Sequence, residues 1–478
     1  MTSSPGGAGA SAQPPFRAAL ALRQDVRSAL VLGSWAASIA LAPNLTVKLM
    51  LAGAAALMAV AVWTFEAPGR WLGCFFATAL LLPPLPLSLG DSGPHPCLLF
   101  AGLGLLAGLA SLSRWRIPAT GLNASLAVLW SVLLASVAAA ALYSGPSIAL
   151  ASLARVGLLA IPIYAFFFTA YGPAKHSAPF PAIHALYWVA VVSALFACID
   201  FYYQFPAPAG YGPQFVWLDS GVYRRAQGFF YEASTLGNFC AFFLIFAAVC
   251  FTRPRAAIPV SRAGLAVGSP VLLAALVLSY SRASMLNVAV ACAVLLWRYR
   301  RRIRPPKLAA LAGVAMAGAL LTWKIFPAFA LAYWLRLSAS AQYLFSATEG
   351  VLSGRLASWQ TLVTWIGQHP WRALWGIGYK TLPYSDYLGT PLVADNMYLS
   401  LLVETGILGL AALLWLNITI LRAGLKASRE ADAARSLCGA WMLCFWSGEI
   451  VQMLSGDLLT YWRVLPVYLF VLALAVRA

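Results

Sequence analysis

Continuous apolar runs of 15 to 28 residues recur along the chain, at roughly 29–43, 45–65, 70–88, 97–113, 121–144, 150–170, 181–201, 229–251, 263–280, 281–297, 307–327, 394–421, 436–454 and 458–476. Most are long enough to cross a hydrocarbon core of about 30 Å as an α-helix. Strands of a closed barrel would alternate in polarity over about ten residues instead. The pattern predicts an all-α polytopic membrane protein with about 12–14 transmembrane helices. The first run is short and is expected to form a hairpin with the second. The stretch 263–297 is too long for one span and is interrupted at Ser279-Tyr280-Ser281-Arg282. Basic residues flank it on both sides, so it reads as two short helices meeting at a tight outer turn.

Four regions follow from this pattern. Residues 1–28 are a Gly/Ser/Pro-rich polar tail ending in Arg17, Arg23 and Arg27, expected to be a disordered cytoplasmic leader. Residues 29–327 form a helical bundle, 328–393 a large outer loop, and 394–478 the C-terminal spans. In the loop, "GRLASWQTLVTWIGQ" places Leu356, Trp359, Val363 and Ile366 on one stripe, with Ser353 as the expected N-cap. Such a helix suits either the membrane surface or the roof of a cavity. A second outer loop, 202–228, is rich in Tyr, Phe, Trp and Pro, as an interface would be.

Composition agrees: 62% of residues are hydrophobic and 10% charged, where a soluble chain would carry about a quarter charged. The net charge of +18 is explained by basic cytoplasmic loops rather than by nucleic acid. With the N-terminus inside, 21 of the 32 Lys/Arg fall on the cytoplasmic side, while 10 of the 14 acids fall outside. The eight cysteines all sit in apolar runs, without a C-x-x-C pair, and read as core thiols. Histidines 95, 176, 184 and 369 are scattered, so no metal cluster is expected.

The remaining 11 basic residues, on the outer side, are not needed for topology. Arg224 and Arg225 precede the helix starting near 229. Arg282 opens the helix at 281, beside Ser281, and Arg355 opens the loop helix. A helix N-terminus already presents free N–H groups and a positive dipole end. An arginine there adds a fixed charge and a bidentate fork, which suits phosphate or diphosphate. The plainer readings are snorkelling to lipid headgroups, a pair between Glu232 and Arg224 or Arg225, and, for Ser281, only a turn.

The segments "RAQGFFYEASTLGN", "SYSRAS", "SGRLASWQTL", "GQHPWRALWGIGY" and "ADNMYLSLLVETGILG" together resemble the O-antigen ligase/polymerase superfamily over about residues 180–421. The resemblance implies a GT-C-like membrane glycosyltransferase with one large periplasmic loop, sited in a bacterial inner membrane. Its donor would be an undecaprenyl-diphosphate-linked glycan, with neither metal, cofactor nor nucleotide sugar. Arg225, Arg282 and Arg355, with Arg224 beside them, would grip the diphosphate. The family's histidine before an asparagine is replaced by Asp395-Asn396. Asp395 is thus either the base or merely the N-cap of the 394–421 helix; Glu232 is the other catalytic acid. Asn396 would support the site, whereas His369 is expected mainly to close the loop helix before Pro370.

The resulting expectation is a periplasmic-face polysaccharide polymerase that transfers a lipid-linked glycan to a hydroxyl of an acceptor glycan. A chain-length regulator and other polysaccharide-assembly proteins are candidate partners, besides membrane lipid. An O-antigen ligase acting on lipid A core is the alternative within the family. The alternative from another class is a flippase of lipid-linked oligosaccharide, for which pseudo-symmetric halves would be expected and none is visible. A scaffold protein would leave the arginine segments unexplained.

Overall fold

The computed structural model describes residues 30, 33–42, 44–85, 94–172, 178–207, 211–218, 221–300, 320, 323–324, 327–342, 355–389 and 391–477. The expected leader 1–28, the Ser353 cap and most of the span 307–327 lie outside them. The chain is an all-α polytopic membrane protein. Residues up to Ala67 form one unit and Pro68–Ala478 another. In the first, Trp35 Nε1 donates to the Leu51 carbonyl at 3.0 Å. This bond ties residues 33–41 to helix α1 (Leu45–Glu66) as the expected hairpin.

In the second unit the helices are α2 (Arg70–Leu81), α3 (Cys97–Ala110), α4 (Gly121–Ser144), α5 (Pro146–Tyr171), α6 (Pro179–Tyr203), α7 (Ala233–Phe251), α8 (Arg262–Leu278), α9 (Arg282–Tyr299), α10 (Pro327–Gln342), α11 (Arg355–Gln368), α12 (Met397–Ala427), α13 (Ala433–Gln452) and α14 (Leu465–Val476). Helices α4, α5, α6, α7 and α12 are each long and apolar enough to cross a membrane. Local chemistry sets many boundaries. Thr120, Ser261, Ser281, Asn396 and Asp432 cap the helices that follow them through their side-chain oxygens. Gly145 (φ 89°) separates α4 from α5, and Pro146 starts the latter, where its missing N–H costs nothing.

The break at 279–281 is present: Tyr280 is left-handed (φ 51°), and the Ser281 hydroxyl accepts from Ser284 N. Two segments differ from expectation. The predicted outer loop begins with the helix α10. The aromatic loop holds a hairpin, β1 (Phe215–Leu218) against β2 (Gly221–Arg224), with Phe215 opposite Arg224.

Helix α7 is central and almost wholly buried. Phe242 stacks near Trp441 and Tyr468 at 4.2 and 4.4 Å between ring centres. In hydrocarbon there is no water to drive such packing, so dispersion and interhelical hydrogen bonds, about 0.6–2 kcal/mol each, hold the bundle. Four helices meet in a polar knot. The Glu449 carboxylate accepts from Asn238 and Asn287 amides at 2.6 and 2.8 Å, and Tyr468 donates to Asn238 Oδ1 at 2.6 Å. Farther along, Ser125 and Thr419 hydroxyls bond α4 to α12 at 2.8 Å. All eight cysteines are free thiols on these helices.

A kink in α12 shapes the region that matters. Gly406 has φ 70° and ψ −170°, which breaks the helical ladder after Thr405. The Val403 and Glu404 carbonyls then accept from Ile377 N at 3.1 Å and Gly378 N at 2.8 Å. A side chain at 406 would collide with the Leu374 carbonyl oxygen at 2.2 Å. Glycine is therefore required both for the conformation and for the close approach. This junction lays the "WGIGY" segment across α12 and fixes the loop beyond it.

Candidate active site

A cavity of about 430 Å³ lies where several helix ends converge. Glu232 and Ser234 reach it from the start of α7, Arg355 from the start of α11, and Asp395 and Ser400 from the start of α12. Loop residues Lys380, Tyr384 and Asp457 line it too, with Arg155 from α5. Helix N-termini bring positive dipole ends and free N–H groups to such a place.

Arg355 and Asp395, 40 residues apart in sequence, meet here: Arg355 Nε donates to Asp395 Oδ2 at 3.0 Å. Asp395 is not the helix cap. It adopts a left-handed backbone (φ 45°), and Asn396 caps α12 by accepting from Leu399 N at 3.1 Å. The cap expected of Asp395 is thus Asn396, while Asp395 lines the cavity. The loop helix α11 also roofs this region, with a rotated stripe. Of the expected stripe, Leu356, Trp359 and Ile366 are half-buried, but Val363 is 60% exposed and Leu362, off the stripe, is fully buried. The helix packs Leu362, Trp365 and Ile366 against Ile377, Leu382 and Val403, so the junction behind Gly406 decides its rotation. Trp359 Nε1 donates to the Ala394 carbonyl at 2.7 Å, which pins the residue before Asp395.

Arg225 is held by its own backbone and by the broken span. Its N–H donates to the Gln214 carbonyl, Ala226 N donates to the Leu278 carbonyl, and its Nε donates to the Ser279 carbonyl at 2.8 Å. Burial pushes the guanidinium down from its ordinary pKa. Tyr461 and Glu232 push it up, and the like charges of Arg355 and Arg282 push it down again. The three arginines are therefore electrostatic neighbours, although Arg225 and Arg282 do not line the cavity itself. Ser281 is buried and shares a 2.8 Å hydrogen bond with the Ser284 hydroxyl. It shapes the turn that presents Arg282.

Glu232 stands just before α7, half-buried. Burial pushes its carboxyl above the usual carboxylate range. The Thr235 hydroxyl, 2.6 Å away, and the charges of Arg463, Arg225 and Lys380 oppose that shift without cancelling it. No cation lies within ion-pair distance of it among the described residues, so the expected pair with Arg224 or Arg225 is absent there. Arg224 turns instead to Asp200, 3.6 Å away, and is not in the cavity wall. His369 is also outside the wall: it stacks on Trp365, with its ring Nδ1 3.1 Å from the Trp365 carbonyl, and closes α11 as expected.

Several residues here carried no signal in the sequence. Lys380 and Asp457 pair across 77 positions. Arg463 is buried, and its guanidinium donates to the Phe229 and Phe230 carbonyls. It thereby clamps the turn that carries both Arg225 and Glu232. Only the excess of outer basic residues hinted at them, since Arg155, Lys380 and Arg463 all belong to that set. Among the described residues there is no cluster of His, Cys, Asp and Glu fit for a metal ion.

Residues 267–414 match the family described as "O-Antigen ligase". This match supports the resemblance to the O-antigen ligase/polymerase superfamily. The family implies a glycosyltransferase-like membrane enzyme. The matched segment spans the broken span, Arg282, the α11 roof with Arg355, the glycine junction and Asp395. Arg225, Glu232 and Asp457 lie outside it and join the same site only through the fold. No curated protein matches the chain.

Proposed function

We propose that this protein belongs to the O-antigen ligase/polymerase superfamily and is a polysaccharide polymerase working at the periplasmic face of a bacterial inner membrane. The donor is a glycan on undecaprenyl diphosphate and the acceptor is a sugar hydroxyl of another glycan. The observation that carries the reading is the cavity itself, where Arg355 joins two carboxylates with Arg225 and Arg282 close behind. Arg355 lines the cavity and Arg225 and Arg282 add their charges from behind it, so a diphosphate entering on that side meets three guanidiniums.

The acceptor oxygen bonds to the anomeric carbon while the bond from that carbon to the diphosphate oxygen breaks. The electron pair leaves on the diphosphate, and direct displacement inverts the carbon. Arginines that stabilise the charge on the leaving group supply the largest share of the rate, of order 10²–10³ for each such donor. The hydroxyl proton passes to a carboxylate. Glu232 suits that role better than Asp395. Its pKa is raised towards the working pH, where general bases are most effective, and among the described residues it makes no ion pair. Asp395 aims Arg355 through its 3.0 Å contact.

The family description favours a second reading, a ligase that transfers finished chains to lipid A core. The aspartate in place of the family's histidine is the reason for preferring the polymerase. A strain lacking the protein separates them. A polymerase leaves single repeat units on undecaprenyl diphosphate. A ligase leaves long lipid-linked chains, and that result would refute the proposal.

A further inference from the structure

One wall of the cavity has no part in holding a diphosphate. Lys380 has a left-handed backbone (φ 58°), and its ammonium meets Asp457 Oδ2 at 2.5 Å, both side chains being less than 15% exposed. Burial opposes the charge on Lys380, but the Asp457 and Glu404 carboxylates more than offset it, so its pKa is raised and it stays protonated. Asp457 Oδ1 accepts from Leu459 N at 3.1 Å. Arg155 comes to the same wall from α5. Its Nη1 lies 3.5 Å from the Lys380 carbonyl, and its guanidinium sits 4.2 Å from the centre of the Tyr384 ring. Glu404, 1% exposed, sits in the cavity wall just before the Gly406 kink. Its Oε1 accepts from Leu382 N at 3.2 Å, while its buried Oε2 has no hydrogen-bond partner among the described residues.

Charge separates this wall from the side of Arg355, which Arg225 and Arg282 back. Arg155 and Lys380 against Asp457 and Glu404 carry no net formal charge, so a diphosphate gains nothing there and meets two carboxylates. An uncharged sugar fits both signs, because each hydroxyl donates to a carboxylate and accepts from an ammonium or guanidinium. Tyr384, whose other face Arg155 covers, and Trp462 are the aromatic residues of the wall, suited to the apolar side of a pyranose. Glu404 borders the cavity, and a small turn of its buried carboxylate would offer one such hydroxyl an acceptor.

We propose that Arg155, Lys380, Tyr384, Glu404, Asp457 and Trp462 form the subsite for the acceptor's terminal sugar, an uncharged pyranose whose free hydroxyl attacks the donor. The subsite rests on the transferase function proposed above. The wall holds the sugar, its hydroxyl oxygen bonds to the donor's anomeric carbon, the proton goes to Glu232, and the bond to the diphosphate breaks with its electrons.

The test uses the full chain purified in detergent and lipid. The donor is the lipid-linked repeat unit isolated from a strain lacking the protein, and the acceptor is the same oligosaccharide released from its lipid. Glu404→Gln and Asp457→Asn should each raise the acceptor KM about tenfold, the factor expected from one lost charged hydrogen bond. The donor KM should stay within about twofold, and release of glycan from the donor to water should persist. Tyr384→Ala, at a ring that is 45% exposed, leaves the ion pairs intact and guards against misfolding; it should move the acceptor KM in the same direction. Arg355→Ala should give the opposite split. Equal rises in both KM values, no rise in either, or a released oligosaccharide that the wild type ignores while extending lipid-linked units would overturn the subsite. A wild-type protein that neither transfers nor hydrolyses the donor would overturn the transferase function instead.

Discussion

Exchanging the two cavity carboxylates for their amides separates their roles. Asp395→Asn removes one charge from the 3.0 Å contact with Arg355 Nε, but the amide oxygen still accepts that hydrogen bond. The Asp395 side chain is 46% exposed and that of Arg355 27%. The pair therefore contributes to stability as a largely solvated one, at most about 1 kcal/mol. Asparagine also tolerates the left-handed backbone at 395, and the helix cap is the untouched Asn396. The stability loss should thus stay below about 1 kcal/mol, and turnover should fall about tenfold or less. Glu232→Gln leaves the fold equally intact but removes the base, so kcat should fall by roughly 10²–10⁴. The pH profile adds the sign. A base works only when ionised, and burial raises the Glu232 pKa. The rate of the wild type should therefore drop as pH falls through a value above the ordinary carboxylate range of about 4.3. Glu232→Gln should abolish that limb and Asp395→Asn should keep it. The assay is turnover of lipid-linked repeat units by purified protein, with thermal unfolding followed in parallel. A collapse of turnover in Asp395→Asn with near wild-type Glu232→Gln would refute the assignment and make Asp395 the base.

Other outcomes follow from the same geometry. Arg225→Ala and Arg355→Ala should each lower kcat/KM by about 10²–10³ while the protein still inserts, and lysine should rescue poorly because it lacks the fork; product measured in membranes checks both. Gly406→Ala should cost at least about 2 kcal/mol, because the new Cβ strikes the Leu374 carbonyl oxygen; a lowered thermal midpoint and yield would show it. Arg463→Gln should destabilise the fold by about 1–3 kcal/mol and reduce turnover, since the Phe229 and Phe230 carbonyls lose their buried donors. A cysteine at Val363, which is 60% exposed, should react with an impermeant reagent in intact cells, and one at Glu430 only after permeabilisation.

The five helices long enough to cross a membrane were legible because each is a long apolar run, and the turn at 279–282 because polar residues interrupt one. The motif arginines were legible as basic residues that topology does not require, and Arg355 and Asp395 do meet. Their partnership was not, because Asp395 precedes a helix as a cap would, and only the backbone at 395 and the bond from Asn396 move the cap one residue on. The face of α11 was legible at Leu356, Trp359 and Ile366 but not at Val363, because contact with Ile377 and Val403 turns Leu362 inward instead. Two short runs of β-branched and aromatic residues, "FVWL" and "GVYR", separated by Asp219-Ser220, were the overlooked mark of the hairpin. Lys380–Asp457 and Arg463 were invisible because their partners lie 77 or more positions away and bear no motif.

The most direct test of the whole account is transfer by the isolated protein. Purified chain in detergent with lipid-linked repeat units, a chelator and no nucleotide should produce a ladder of longer lipid-linked glycans and release undecaprenyl diphosphate, and Arg355→Ala should suppress both. Repeat units that remain single and lipid-bound under these conditions, in protein shown to be folded, would contradict it.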